Sequence, residues 1–125
     1  MTFDPELAES KSHAIALAAA EAMLLKRAEN IVILDMRKLV AYTDYFVICH
    51  GNADIHVKAI ADTVEDSLLQ YGEKYLNKEG YENRKWILLD YVDVIVHIFD
   101  KESRDFYDLE YLWADASRQE ILDLQ

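Results

Sequence analysis

Residues 45–48 read Tyr-Phe-Val-Ile, an uninterrupted aromatic and β-branched run with Thr43 and Asp44 before it and Cys49, His50 and Gly51 after it. A run without polar alternation suits a strand buried on both faces, and such strands belong to sheets covered on each side. Gly51 permits a tight turn into a helical pattern that begins near Asp54. That is an α/β unit. The remainder of the 125 residues has to supply flanking strands and covering helices, which is enough chain for one hydrophobic core and too little for two.

Asp4 and Pro5 suit a helix start, and the span 7–28 that follows is rich in Ala, Leu, Met and Glu with no Gly or Pro. Ile15, Ala18, Ala19, Ala22 and Met23 share one face, small enough to lie close against a sheet. Lys26 and Arg27 fall in the expected last turn, where the helix dipole favours cations. Residues 31–34 read as the first strand. Residues 35–42 are so short a link to the central run that an antiparallel pairing is expected. A second helix follows from Val57, Ile60, Ala61, Val64, Leu68 and Tyr71 at helical spacing, stopped by Gly72. Residues 73–85 read as a loop or a short irregular strand. Residues 86–89 and 94–99 are two strands joined by Asp90, Tyr91, Val92 and Asp93, hence antiparallel neighbours. Val94, Val96 and Ile98 point one way and Ile95, His97 and Phe99 the other, so both faces need cover: helices on one, and a partner subunit as a candidate for the other. Residues 100–113 read as one short amphipathic helix anchored by Phe106, Tyr107, Leu109, Leu112 and Trp113.

Charge narrows the partners. The chain holds 24 Asp plus Glu against 13 Lys plus Arg, a formal net charge of -11, and residues 100–125 alone hold eight acids and three basic residues. Such a surface repels phosphate backbones, and the basic pairs Lys26–Arg27 and Arg84–Lys85 are each flanked by acids, so little or no direct nucleic-acid binding is expected. It suits a basic protein partner. The lone Cys49 excludes an internal disulfide and fits a reducing compartment. Residues 1–6 carry acids where a signal peptide carries cations, and no apolar run reaches the roughly 18 residues of a membrane span, so a cytoplasmic protein is expected.

His13, His50, His56, His97 and Cys49 show none of the spacings of a metal site. Cys49 reads as a buried inert thiol, and His97 as a hydrogen-bonded histidine of a core or interface. Magnesium-dependent nucleotidyl transfer needs alternate carboxylates and a Gly-Ser turn for the triphosphate. Here Asp90 and Asp93 are one residue too far apart, and Gly51 is followed by Asn52, Ala53 and Asp54. No phosphate loop, dinucleotide fingerprint or nucleophile elbow occurs. No catalytic, cofactor-binding or metal residue is assigned, and the expectation is a non-enzyme without cofactors. What remains is Tyr42, Tyr45, Trp86, Tyr91, Tyr107, Tyr111 and Trp113 interleaved with Asp44, Asp90, Asp93, Asp108 and Glu110. Rigid rings rimmed by charge are the makings of a protein interface; the same rings would also fill the core of a small domain.

The run 43–48 with Gly51, then Glu79–Gly80, Trp86, Leu89–Asp90–Tyr91, residues 93–99, Arg104, Tyr107, Leu109–Glu110, Leu112–Trp113 and Asp115, resembles the ribosomal silencing factor family, also called Iojap-like, over residues 12–116. The resemblance implies a single α/β domain related to the nucleotidyltransferase fold but without that chemistry. Combined with the strand readings above, it gives a mixed sheet of four to five strands with helices packed on it, and ends that fray over 1–10 and 117–125. It further implies binding to the large ribosomal subunit through large-subunit protein fourteen, at the face where the small subunit docks. Subunit joining is then blocked and translation repressed when nutrients are short, in a protein that is a homodimer when free. The residues assigned to the partner are Thr43, Asp44, Tyr45, Trp86, Leu88, Asp90, Tyr91, Asp93, His97, Tyr107, Glu110 and Trp113. A metal-dependent nucleotidyltransferase-like enzyme and an acidic adaptor for another basic protein are the alternatives. Val92 departs from the family's usual Gly, so its turn is expected to adopt a conformation that a β-branched residue tolerates. Asn52–Ala53 replaces a Ser-containing turn, leaving the helix cap to Asn52 or Asp54.

Overall fold

The structure, a computed structural model, describes residues 8–122. In chain order it holds α1 (Lys11–Leu25), β1 (Glu29–Asp35), β2 (Tyr45–Gly51), α2 (Asp54–Gln70), β3 (Asn77–Glu79), β4 (Trp86–Asp90), β5 (Val94–Asp100), α3 (Lys101–Tyr107), α4 (Leu109–Leu112) and β6 (Ser117–Ile121). The strands form one sheet in the order β3-β4-β5-β2-β1-β6. β2 and β5 run parallel and every other pair antiparallel, which makes the sheet mixed.

All seven residues of β2 are buried. Its two faces feed separate cores. Tyr45, Val47 and Cys49 join Val94, Val96 and Ile98 of β5 and Ile87 and Leu89 of β4 beneath α1 and α2. The alanines of α1 let its axis sit close to that face, and Val57, Ile60, Ala61, Val64 and Leu68 of α2 lock in beside it. Phe46 and Ile48 point the other way and pack with Val32, Leu34, Met36, Phe99 and Leu109.

Several boundaries differ from expectation. The helix read over 7–28 is the shorter α1, capped by Ser10, whose Oγ accepts the His13 N–H at 3.1 Å. Asp4 and Pro5 lie outside the described residues. Lys26 caps the far end and Arg27 turns left-handed, so both cations lie beyond the last turn. Tyr71, read as part of the buried face of α2, is exposed just past its end. Neither Asn52 nor Asp54 caps α2: Ala53 holds that position without a side-chain bond, and His56 Nδ1 accepts the Asn52 N–H at 3.0 Å.

The C-terminal third is rearranged more deeply. Residues 100–113 form two helices broken at Asp108, which takes a left-handed φ of 47°. Phe106 and Leu112 face outward, 78% and 65% exposed, and only Leu109 of the expected anchors is fully buried. Part of the span expected to fray is β6, paired antiparallel to β1 with Ile33 opposite Gln119, so the sheet has six strands. Its Ser-Arg-Gln-Glu-Ile sequence hid it, because an edge strand exposed to water needs no apolar alternation.

Two glycines make a paired test. Gly80 has a φ of 78°, and a Cβ there would collide with the Trp86 carbonyl oxygen, whereas Gly72 has a φ of 81° with open space around it. Gly80→Ala should cost at least ~2 kcal/mol in urea unfolding and Gly72→Ala about 1 kcal/mol. Equal costs would contradict the close approach of β3 and β4.

Candidate functional site

The face of the sheet opposite α1 and α2 is only partly covered. α3 and α4 reach over β5, β2 and β1 with Leu109 and Trp113, and leave the β4 side half-open. Pairing sets what lies there. Trp86 stands opposite Phe99, Leu88 opposite His97 and Asp90 opposite Ile95, so the alternation of two antiparallel strands brings Trp86, Leu88, Ile95, His97 and Phe99 onto one surface. Trp86 stacks on Phe99 at 4.9 Å between centroids and meets Tyr107 of α3 at 4.8 Å. Trp113 of the loop after α4 reaches Phe46 edge-on at 6.5 Å.

His97 sits under this row. Its Nδ1 accepts the Trp86 Nε1–H at 3.1 Å, which places the ring proton on Nε2, and that atom is buried without a partner. Burial alone pushes its pKa down to about 3, so the imidazole is neutral and orients Trp86.

The α3–α4 cover is held by charge. Asp100 caps α3 by accepting the Ser103 N–H at 2.7 Å. Arg104, 5% exposed, donates Nε and Nη2 to Glu110 at 3.1 and 2.6 Å, and Nη1 to the Glu29 carbonyl at 3.2 Å and to His50 Nδ1 at 3.0 Å. His50 therefore carries its proton on Nε2, 3.2 Å from the Glu29 carboxylate. Burial first, then the neighbouring guanidinium, lowers the His50 pKa. A cleft of about 340 Å³ beside this network is lined by acids and bases alike. The structural part played by Arg104 escaped sequence reasoning; the signal was a lone arginine inside an acidic, aromatic helix.

The twelve residues assigned to the partner divide. Trp86, Leu88, His97, Tyr107 and Trp113 come together on or under the half-open face. Asp90 and the exposed Asp93 sit at its end, where the Asp90 carboxylate accepts the Val92 N–H at 2.7 Å. The other five lie elsewhere. Tyr45, 3% exposed, and Tyr91 turn under the helices, where burial raises the pKa of both phenols. Thr43 is buried, Asp44 accepts the Ser12 hydroxyl at 2.8 Å, and Glu110 is committed to Arg104. The turn at Val92 does not relax for a β-branched residue: its φ is 74°, the region that favours glycine. Among the described residues no group of three or more His, Cys, Asp or Glu is placed to hold a metal ion, and no helix is long and apolar enough to cross a membrane. The Cys49 thiol is fully buried, which pushes its pKa up to about 12 and keeps it unreactive.

A half-open aromatic face with the carboxylates of Asp90 and Asp93 at its end has the composition of protein interfaces: rigid rings beside charge. Comparison with known proteins gives the family. Residues 9–125 match the model of the family described as ribosomal silencing factor during starvation. The Bacillus subtilis ribosomal silencing factor is 46% identical over 98 residues, 78% of this chain and 83% of that one. The chloroplastic Iojap protein of Zea mays is 35% identical over 91% of this chain and 49% of its own. A crystal structure from Chromobacterium violaceum superposes with a TM-score of 0.82 at 30% identity, covering 91% of this chain and 95% of that one. The chain belongs to the ribosomal silencing factor family.

The neutral state of His97 yields a pH prediction. In the unfolded chain it protonates near pH 6.5, and in the fold only near 3, so the unfolded state binds the extra proton and stability falls as pH drops below about 6.5. Between pH 6.5 and 5 this amounts to about 2 kcal/mol from His97. His97→Leu should show a shallower loss over that interval in urea unfolding; an unchanged slope would contradict the assignment.

Proposed function

We propose that this chain represses translation by occupying the large ribosomal subunit at the surface where the small subunit docks, a binding function without turnover that acts where ribosomes are. The observation that carries this reading is the half-open aromatic face on a chain of net charge -11. Its partner would be large-subunit protein fourteen. Ribosomal proteins are typically basic, so the acidic rim of Asp90 and Asp93 would steer and orient the encounter while Trp86, Leu88, Tyr107 and Trp113 are buried against the partner. His97 would hold Trp86 in place. Thr43, Asp44, Tyr45, Tyr91 and Glu110 would act from behind, fixing the β2 entry, the hairpin end and the α3–α4 cover. Direct contact with ribosomal RNA is disfavoured by the same charge. The open face also suits a second copy of the chain, so a homodimer would form in the free protein and compete with the ribosome for one surface.

Cosedimentation with purified large subunits tests this. Trp86→Ala should weaken binding by roughly thirtyfold, the loss of about 2 kcal/mol expected for an aromatic anchor. Full binding by both Trp86→Ala and Asp90→Ala would contradict the assigned face, and undiminished subunit joining in excess protein would contradict exclusion. Sedimentation of the free protein should show a dimer that dissociates on dilution; a monomer throughout would reject the shared surface.

A further inference from the structure

The turn that ends the β4–β5 hairpin carries strain that the fold does not need. The Asp93 N–H donates to the Tyr91 carbonyl at 2.9 Å, closing a three-residue turn around Val92 at φ 74°. This has the hydrogen bond and the positive φ of the rarer, strained kind of γ-turn. A β-branched residue there is an outlier, because its Cβ crowds the following carbonyl and the branch cannot rotate away. The turn is fixed from several sides. Asp90 Oδ1 accepts the Val92 N–H at 2.7 Å, the Tyr91 N–H donates to the Val94 carbonyl at 2.9 Å, and the Asp93 carbonyl accepts the Asp44 and Tyr45 N–H groups at 2.8 and 3.2 Å. None of these bonds uses the Val92 side chain, so glycine would keep every one of them and remove the strain.

The isopropyl group gives the fold little in exchange. Val92 is 52% exposed and belongs to neither hydrophobic core. It stands between Asp90 and Asp93, at the end of the strand pair that carries Trp86, Leu88 and His97. A half-exposed side chain that strains the backbone and belongs to neither core points outward for its purpose.

We propose that Val92 is a contact residue for the basic ribosomal partner. It is an apolar knob held out by a strained turn, seated against an apolar patch of that partner while Asp90 and Asp93 on either side meet its cations. This inference rests on the functional reading above and adds to it a half-exposed residue that completes its burial in the complex.

Thermal unfolding and cosedimentation with purified large subunits are compared for wild type, Val92→Gly, Val92→Ala and Val92→Ile. Val92→Gly should melt about 3–5 °C higher, the release of roughly one residue's left-handed strain in a domain of this size. It should nonetheless bind about fivefold more weakly, the loss of a half-exposed valine's burial. Val92→Ala keeps the backbone restriction without the branch and should also bind more weakly, which separates lost contact from loop loosening. Val92→Ile should bind as wild type does. If wild type binds large subunits and both Val92→Gly and Val92→Ala bind as tightly, the contact is refuted. If Val92→Gly melts no higher than wild type, the strain is refuted. If wild type itself fails to bind, the functional reading falls and the Val92 contact with it.

Discussion

The parallel pairing of β2 with β5 is the constraint on which the rest of the structure depends. Tyr45 to Gly51 sits in the sheet interior with β1 on one side and β5 on the other, and neither of its faces meets water. Apolar side chains on both faces of one strand require two separate covers, because removing that surface from water is the main favourable term in folding. α1 and α2 provide the first in full. The second is a seven-residue helix followed by a single turn, too short to span six strands. The β4 side of the sheet is consequently half-open, and the residues found there are ones that tolerate partial burial: a tryptophan with its N–H satisfied internally, a tyrosine and a leucine.

A buried ion network acts together with apolar packing to place that short cover. Arg104 links a carbonyl of β1, a histidine of β2 and a carboxylate of α4 through one planar guanidinium. A buried cation is tolerable only when its donors are met, and here Nε, Nη1 and Nη2 all find acceptors. With the cover fixed in this way, Leu109 and Trp113 point inward, while Phe106 and Leu112 face solvent. The exposed rings of α3 and the half-buried Trp86 of β4 form one aromatic surface where the ion pair helps dock the helix.

The α/β class, the β1–β2 and β4–β5 antiparallel pairs, α2 with its stop at Gly72, and the division of β5 into two apolar faces were legible in the residues. Each is a local property, set by side-chain periodicity or by the shortness of a link. The failures have one cause. β6 is polar because it is an edge, the helix break at Asp108 needs no glycine, and Tyr71 falls outside a helix whose rhythm it continues. In each the pattern looked complete or absent until tertiary neighbours decided the matter.

The candidate site shows the same division. The sequence alone determined which side chains of β4 and β5 share a face, since strand alternation admits no other outcome once the hairpin is short. Tertiary structure alone decided which aromatic residues stay accessible. Tyr45 and Tyr91 carry the same chemistry as Tyr107, yet two are sealed under helices and one is half-exposed. The difference lies in which layer lands on which face, and that is set by long-range contacts such as Arg104 with Glu29 and His50, 75 and 54 residues apart in the chain, which no local pattern encodes.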